Sequence, residues 1–350
     1  MRIGIYGLPT SGKSFVLEQV DFMESISGSG FLRQYDPYFD QQPESVKDED
    51  RKAIATILLE KKSFIMDGHY AFGNNVVFTK EDGKLYDAFL YLYISPDLLR
   101  ARMTNSHRNQ KYLVYDIEEW QQKEIAGLRE YCHKNDKDFY VIDNPPSFES
   151  PNVEIIIEFI KAISHGFSCR AFAEKCARAL LEQTDSDVIT LLDGDKTLTI
   201  EDSSNRVFGY QTHLYDGNFY TGYQSWKQFI EFSDYLIPDL HELPVHMNNT
   251  VLSTATQVPV ILTSGHPKVW SFIANSLRMQ CFSGNQMSAE TKYFITKYLQ
   301  QAGKRIIAFG DGMNDYFMLK KADDAYLIRK PDGTISRSLK GRDLEGITIV

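Results

Sequence analysis

Aspartates are concentrated in two short segments of the C-terminal half of the chain. Residues 193–197 read DGDKT, and residues 310–315 read GDGMND. Carboxylate oxygens are the ligands that Mg2+ prefers, and a metal ion can offset the repulsion between a carboxylate and an anionic phosphate. The two segments therefore predict a magnesium-dependent site that removes phosphate from a monoester.

Three apolar runs lead into polar segments of this half. The runs are residues 188–192 before Asp193, residues 260–262 before Thr263 and residues 306–309, which follow Arg305, before Gly310. Short apolar runs of this kind are typical of buried strands. Asp193 and Asp195 are two residues apart, so they point to the same side of an extended chain. We expect the carboxylates of the two acidic segments to converge on one metal ion.

The order of these motifs resembles that of the haloacid dehalogenase superfamily, in particular its phosphatases similar to phosphoserine phosphatase. The resemblance implies that Asp193 is a nucleophile that forms an aspartyl-phosphate. It implies that Asp195 protonates the leaving oxygen and later activates water. It also implies a magnesium shell made of Asp193, the backbone carbonyl of Asp195, Asp311 and Asp315.

The same resemblance assigns two further contacts to the phosphoryl group. Thr263 or Ser264 would hydrogen-bond its oxygens; Thr263 is slightly favoured because it directly follows the apolar run, and Ser264 stays open. Lys292 would neutralise the phosphate. Lys297, on the same predicted helix, is the alternative lysine.

A second phosphate motif opens the chain. Residues 7–14 (GLPTSGKS) match the P-loop pattern GxxxxGK[ST] and follow the apolar run 3–6, as a buried first strand should. In such a loop, backbone N–H groups and the start of the next helix face the nucleotide phosphates. The motif predicts a site for ATP and Mg2+, in which Lys13 bridges the terminal phosphates and Ser14 ligates the metal ion. The residues assigned to the nucleotide are Gly7, Ser11, Gly12, Lys13 and Ser14.

The N-terminal motifs resemble the small-molecule and nucleotide kinases, a group that includes polynucleotide kinases. The resemblance implies that Asp36, at the end of a predicted second strand, accepts the proton of the attacking hydroxyl. It implies that Asp67, at the end of the third strand, reaches the magnesium shell through water. The lid arginines would be Arg100, Arg102 and Arg108. The alternatives are that the aspartates only begin turns, before Pro37 and Gly68, and that the arginines are solvated helix charges.

Strands and helices alternate in the N-terminal half. The predicted strands are residues 3–6, 31–35, 63–66, 88–94 and 139–142. Helices are predicted after the P-loop and over residues 44–61, 97–131 and 154–183. This alternation favours a parallel sheet with helices on both faces.

We therefore predict an α/β protein with two doubly wound parallel-sheet domains. Residues 1–163 would form the P-loop kinase-like domain, residues 164–186 a helical linker, and residues 187–350 the haloacid dehalogenase-like phosphatase domain. The insert at about residues 200–256 is too long for a plain connection and is predicted to be a cap. Its aromatic side chains offer either a stacking surface for a ring or a small core of the cap itself. They are Phe208, Tyr210, Tyr215, Phe219, Tyr220, Tyr223, Trp226, Phe229, Phe232 and Tyr235.

Composition limits the partners of the protein. The 350 residues, 43% of them hydrophobic, are enough for two separate cores. The net charge is -9, with about -7 in residues 1–163, so neither half offers the basic face that long nucleic acids require. The four cysteines lack the spacing of zinc sites, and no stretch of about 18 apolar residues occurs. We expect a soluble cytoplasmic protein with reduced thiols, no membrane span and no cleaved signal peptide.

Three functions remain open from the sequence. The chain could be a bifunctional enzyme, with an ATP-dependent kinase and a phosphatase for small phosphorylated metabolites or nucleotides. It could heal nucleic acid ends, because kinase followed by phosphatase is also the domain order of the phage polynucleotide kinase-phosphatase. It could also be a phosphatase whose P-loop domain only senses a nucleotide.

Overall fold

The computed structural model describes residues 1–143, 153–209, 215, 219–232, 245–255 and 257–350. The chain divides into two compact units, Met1–Phe167 and Ser168–Val350. No helix that the structure describes has both the length and the apolar composition needed to cross a bilayer.

The first unit is a five-stranded parallel sheet with a small antiparallel hairpin. Its strands are β1 (Arg2–Tyr6), β2 (Ser25–Ile26), β3 (Phe64–Asp67), β4 (Ala71–Phe72), β5 (Asn75–Val76), β6 (Ala88–Tyr93) and β7 (Asp138–Asp143). Its helices are α1 (Lys13–Glu18), α2 (Gly28–Tyr35), α3 (Glu44–Leu58), α4 (Lys80–Leu85), α5 (Pro96–Thr104), α6 (Ile117–Lys134) and α7 (Val153–Ser164). The sheet order is β2-β3-β1-β6-β7, and β4 pairs with β5. Because Ile5 in β1 lies opposite Asp67 in β3, the P-loop and Asp67 meet at the carboxyl edge of this sheet.

The second unit is a six-stranded parallel sheet. Its strands are β8 (Val188–Leu192), β9 (Pro259–Thr263), β10 (Gln280–Ser283), β11 (Arg305–Gly310), β12 (Asp324–Leu327) and β13 (Ile347–Ile349). Its helices are α8 (Cys169–Gln183), α9 (Ser203–Phe208), α10 (Gly222–Phe232), α11 (Asn249–Thr254), α12 (Pro267–Leu277), α13 (Ala289–Gln301) and α14 (Tyr316–Lys321). The order β10-β9-β8-β11-β12-β13 is that of a doubly wound sheet. All its strands are parallel, but successive strands are added on one side of β8 up to β10 and on the other side from β11 onwards. Ligands of such sheets bind at the carboxyl ends of the strands at this change of side.

Helices cover both faces of the second sheet. Leu191 and Leu262 point to one face and pack with α8 and α13. Leu192 and Ile261, one residue away, point to the other face and pack with α11 and α12. Neighbouring residues of a strand alternate between faces, so each strand contributes to both cores. The predicted α/β class with two parallel sheets is confirmed.

One predicted strand is wrong. Residues 31–35 belong to helix α2, and the second strand is only Ser25–Ile26. Ser27 caps this helix, since its hydroxyl accepts a hydrogen bond from the N–H of Gly30. Asp67 accepts a second hydrogen bond at the same helix end, from the N–H of Gly28.

The predicted linker at residues 164–186 contains a helix of the second unit. Helix α8 buries Ala173, Cys176 and Leu180 in the core that it shares with α13 and the sheet. The first unit extends to Phe167, four residues beyond the predicted end. The segment is therefore structural in the second unit and does not act as a spacer.

The insert at residues 200–256 is described only in part, and Tyr210 and Tyr235 lie outside the described residues. Phe219, Tyr223 and Trp226 are buried, whereas Phe229 is exposed. Tyr215 stacks on Tyr220, with ring centroids 4.8 Å apart. These contacts favour a core role for the three buried rings.

Candidate active site

The functional side chains of the second unit follow neighbouring strands. Leu192 at the end of β8 lies opposite Ile261 in β9 and Phe309 in β11. The N–H of Asp193 donates to the carbonyl of Phe309 at 3.0 Å. Asp193 therefore leaves the sheet beside the segment that begins at Gly310.

Three carboxylates and one ammonium group meet at this edge. Asp193, Asp311 and Asp315 each have a carboxylate oxygen within 4.8 Å of the others. Lys292, on α13, is fully buried and donates to Asp193 Oδ1 at 2.5 Å and to Asp315 Oδ1 at 2.7 Å. The structure thus brings together four side chains from three separate segments of the sequence.

Asp315 also shapes the loop that carries Asp311. Its Oδ2 accepts the backbone N–H groups of Asp311 at 3.1 Å and Gly312 at 3.3 Å. A Cβ atom at Gly310 would lie 2.3 Å from the Cβ of Asp315, so only glycine fits there. The loop and the carboxylates are consequently fixed by the same residue.

The pKa values in the cluster show an excess of negative charge. Burial and the neighbouring Asp315 raise the pKa of Asp193 to about 7. Burial, followed by Asp193 and Asp315, raises the pKa of Asp311 well above its usual range. Burial acts to lower the pKa of Lys292, but Asp193 and Asp315 overcome it and raise that pKa. Two buried carboxylates and the half-buried carboxylate of Asp311, beside one ammonium group, are a donor set that suits a hard divalent cation such as Mg2+.

Asp195 takes a different position from the cluster. Its Oδ1 accepts the N–H of Ser203 at 2.6 Å. Burial and the nearby Asp202 raise its pKa to about 6. The chain turns sharply after Asp195, because Lys196 has a φ of 61° in the left-handed region. Lys196 then pairs with Asp202 at 2.7 Å.

The two candidate hydroxyls make different contacts. Thr263 Oγ1 is buried and accepts the N–H of Gly265 at 3.0 Å. Ser264 Oγ donates to the carbonyl of Met287 at 2.7 Å and accepts from Asn314 Nδ2 at 3.0 Å. The geometry therefore links Ser264, the residue that the sequence favoured less, to the loop that bears Asp311.

The alternative lysine is engaged elsewhere. Lys297 Nζ lies 5.9 Å from the centroid of the Phe294 ring, in a cation–π contact. Lys292 is the lysine that contacts the carboxylates.

The P-loop of the first unit has the strained backbone that its glycines allow. Gly7 has a φ of 149° and Gly12 a φ of 99°. Lys13 Nζ donates to the carbonyls of Gly7 at 2.6 Å and Leu8 at 3.1 Å. Burial lowers the pKa of Lys13 to about 8. Ser11 Oγ is buried and has no hydrogen-bond partner among the described residues.

Asp67 lies beside the P-loop helix. Its Oδ2 accepts from Ser14 Oγ at 3.2 Å, and its Oδ1 accepts from the N–H of Gly28 at 2.7 Å. The serine and the carboxylate predicted to share one magnesium shell are therefore neighbours.

Asp36 does not follow a strand, so the position that suggested a catalytic base is wrong. It ends helix α2, and its carboxylate accepts from the N–H of Tyr38 at 2.8 Å and from Gln42 Nε2 at 3.0 Å. These are contacts of a turn residue, the alternative that the sequence left open. The role of Asp36 as a base stays a prediction without its positional support.

The three predicted lid arginines differ in their surroundings. Arg102 Nη1 donates to the carbonyl of Thr10 at 3.2 Å and so holds the P-loop. Arg100 and Arg108 are exposed, and in the described part of the chain neither forms an ion pair. Arg108 is nevertheless close to His69, whose pKa is lowered well below 6.5 by burial, by Lys13 and by Arg108.

A buried carboxylate near the P-loop was not predicted. Glu124, on α6, is fully buried and accepts from the N–H of Ala71 at 2.9 Å and from the hydroxyl of Tyr91 at 3.0 Å. Burial raises its pKa to about 7, although Lys13 acts in the opposite direction. Nothing in the sequence separates Glu124 from the exposed glutamates of the same helix, because its burial depends on packing against other elements.

Comparison with families of known proteins gives one match, in the C-terminal part of the chain. Residues 289–330, which include Lys292 and the second acidic segment, match the family described as haloacid dehalogenase-like hydrolase. This segment is therefore similar to haloacid dehalogenase-like hydrolases. No curated protein matches the chain.

Solved structures align with parts of the chain at low similarity. A substrate-bound phosphoserine phosphatase complex shares 17% identity with a TM-score of 0.34 and covers 43% of this chain and 90% of its own. Shikimate kinase from Bacteroides thetaiotaomicron shares 13% identity with a TM-score of 0.33. The alignment covers 47% of this chain and 98% of the kinase chain. The catalytic domain of the CPx-ATPase CopB-B shares 23% identity with a TM-score of 0.22. The alignment covers 25% of this chain and 34% of that domain, so this chain matches about a third of its length.

Proposed function

We propose that the second unit is a magnesium-dependent phosphomonoesterase that works through an aspartyl-phosphate. The observation that carries this proposal is the cluster in which Asp193 lies with Asp311, Asp315 and the ammonium group of Lys292. The match of residues 289–330 to haloacid dehalogenase-like hydrolases supports it.

In the first step a carboxylate oxygen of Asp193 forms a bond to phosphorus. The ester P–O bond breaks, and its electron pair stays on the leaving oxygen, which takes a proton from Asp195. Lys292 stabilises the negative charge on the phosphoryl oxygens. The products are an alcohol, an aspartyl-phosphate and the carboxylate form of Asp195.

In the second step water attacks the same phosphorus atom and transfers a proton to the Asp195 carboxylate. The bond between Asp193 and phosphorus breaks, and inorganic phosphate leaves. Asp193 is then a carboxylate and Asp195 is protonated, so the site is restored.

The residues that would hold Mg2+ are Asp193, Asp311, Asp315 and the backbone carbonyl of Asp195. The bound ion would neutralise the carboxylates and polarise the phosphoryl oxygens. Thr263 and Ser264 both remain candidates for the hydroxyl that binds the phosphoryl group. Thr263 Oγ1 lies 2.7 Å from the position of a Cβ atom at Gly194, and its hydroxyl hydrogen has no acceptor among the residues that the structure describes, whereas Ser264 Oγ already donates to the carbonyl of Met287.

Asp193→Asn tests the proposal. It removes the nucleophile with little change of shape, so hydrolysis of p-nitrophenyl phosphate should fall by at least about 1000-fold. Asp332→Asn, at an exposed turn, is the matched control and should keep wild-type activity. Activity of Asp193→Asn near the wild-type rate would reject the nucleophile, and activity that resists EDTA would reject the metal site.

We infer that the first unit is an ATP-dependent phosphotransferase. The specific observation in its favour is the P-loop backbone with Lys13 and the adjoining pair of Ser14 and Asp67. Together with the phosphatase this gives a bifunctional enzyme for small phosphorylated metabolites or nucleotides. A reducing cytoplasm suits its four free cysteines.

Lys13→Ala should lower the affinity for a fluorescent ATP analogue by about tenfold or more, because it removes the ammonium group that faces the phosphates. Lys61→Ala, which breaks only an exposed pair with Glu24, is the control. ADP release in a panel of nucleosides, sugars and 5′-hydroxyl oligonucleotides then separates the alternatives. ATP binding without any acceptor-dependent ADP release favours the regulatory sensor, and salt-sensitive oligonucleotide turnover favours end repair.

A further inference from the structure

Trp270 is the largest fully buried side chain of the second unit, and it lies against the active site. It sits in the first turn of α12, after the strand that carries Thr263. A Cβ atom at Gly194 would lie 2.5 Å from its ring, and one at Gly265 would lie 2.2 Å from its Nε1. The indole therefore occupies the space that both active-site glycines leave open.

The indole N–H has no hydrogen-bond partner in the described part of the chain. A buried donor that makes no hydrogen bond is destabilising, so most buried polar groups of native proteins have a partner. Because this donor lies beside the proposed phosphatase site, its partner could be one of the groups that take part in the reaction.

Asp195 is the candidate partner of this N–H group. The same Cβ position at Gly265 that lies 2.2 Å from Trp270 Nε1 lies 2.9 Å from Asp195 Oδ2. The two atoms are thus at most about 5.1 Å apart, and the structure shows no direct hydrogen bond between them. One bridging water, or a small side-chain shift, would connect them. Asp195 Oδ1 is already occupied by the N–H of Ser203.

We propose that Trp270 is a positioning residue, whose indole N–H donates directly or through one water to Oδ2 of Asp195. This proposal rests on the proposed phosphatase function. When the ester P–O bond breaks, the leaving oxygen keeps the electron pair and takes the proton from Asp195. The carboxylate that results then accepts from both Ser203 and Trp270, which stabilises it and so favours the proton transfer.

The role predicts a dependence on the leaving group. A p-nitrophenolate leaves without a proton, whereas an alkoxide needs one, so loss of the N–H group should affect mainly alkyl phosphates. Trp270→Phe should lower kcat/KM about tenfold for an alkyl phosphate and less than about twofold for p-nitrophenyl phosphate. Trp120→Phe, in the first unit, is the control and should change neither value. An equal loss on both substrates would mean that Trp270 only fills space.

Two further measurements keep the proposal open to refutation if Trp270→Phe folds poorly. Benzothienylalanine at position 270 keeps the shape of the indole and removes its N–H group, and it should reproduce the selective loss. Asp195→Asn should shift the indole 1H–15N resonance of Trp270 and leave that of Trp120 in place. This resonance can be followed without turnover, so an unshifted signal overturns the hydrogen bond even if the phosphatase assignment stands.

Discussion

Lys292 shows how a single residue decides the electrostatics of the active site. It has no exposed surface, and its ammonium group contacts two of the three clustered aspartates. Burying a charge is costly unless it is paired, and here each partner depends on the other. The lysine therefore contributes to the folded state as well as to the proposed binding of a phosphoryl group.

We expect Lys292→Met to damage both activity and stability. Loss of this cation should lower kcat for p-nitrophenyl phosphate about 100-fold or more. Without Mg2+ the aspartates would repel one another, so the free energy of unfolding in EDTA should fall by about 3–5 kcal/mol. Added Mg2+ should recover stability but not activity, as measured by urea denaturation and by turnover.

Lys297→Met is the matched control for this prediction, since it lies on the same helix and contacts the ring of Phe294. A Lys292→Met protein whose stability in EDTA equals that of the wild type would contradict the electrostatic argument.

At the scale of elements, the strands that end in functional residues could be predicted from the sequence, and the short second strand could not. The apolar runs before Asp193 and Gly310 are long enough to be strands β8 and β11. Residues 31–35 fit the pattern of a short strand because three of their five side chains are apolar, although they belong to helix α2. Phe31 and Tyr35 are four residues apart, a spacing that also fits one face of a helix.

Residues whose role depends on packing left no pattern in the sequence. Glu124 and Trp270 are buried by elements that are distant in the chain, and neither belongs to a motif. Asp36 shows the opposite case. It was assigned a catalytic position because residues 31–35 were predicted to be a strand, and the structure shows that they are part of a helix. Local patterns thus predicted the ends of the main strands, and tertiary contacts determined which other polar groups face them.

Helix α6 gives a pH dependence to the first unit through Glu124. Its carboxyl is buried, and the pKa in the folded state is raised to about 7 from 4.5. A raised carboxyl pKa means that the folded state binds the proton more tightly than the unfolded state. The stability that this provides is present below pH 4.5 and is lost as the pH rises through about 7, by at most about 1.4 kcal/mol per pH unit.

Glu124→Gln should remove this slope, because an amide keeps the hydrogen-bond acceptor without the ionisation. Hydrogen exchange of α6, corrected for the intrinsic effect of pH, measures the opening free energy between pH 4.5 and 7. Glu119→Gln, an exposed change on the same helix, should retain the slope of the wild type. If Glu124→Gln and the wild type show equal slopes, Glu124 is not the titrating group.

At the scale of the whole molecule, the chain consists of two parallel-sheet units with separate cores. The unit boundary at Phe167 and Ser168 assigns helix α8 to the second unit, where it packs against α13. Lys292 lies on α13. The helix that was predicted to be a linker therefore packs against the helix that carries this lysine of the candidate active site.

Two fragments can decide whether the second unit begins at Ser168, as the structure indicates, or at residue 187, as the sequence predicted. Residues 168–350 should fold as a monomeric domain with the phosphatase activity of the full chain. Residues 187–350 lack α8 and would expose the side chains on which it packs, so this fragment should aggregate or melt well below the longer one. Circular dichroism melts and p-nitrophenyl phosphate turnover measure both. Equal stability of the two fragments would restore the linker interpretation.

The order of the strands in the second sheet sets the order in which this unit can be completed during synthesis. Strand β8 emerges from the ribosome early, but its neighbour β11 follows only at residues 305–310. Until then β8 has one edge without its partner, and Asp193 has neither Asp311 nor Asp315 beside it. Nascent chains released before residue 315 therefore lack part of the carboxylate cluster, so the proposed hydrolysis should begin only after the ribosome has passed Asp315.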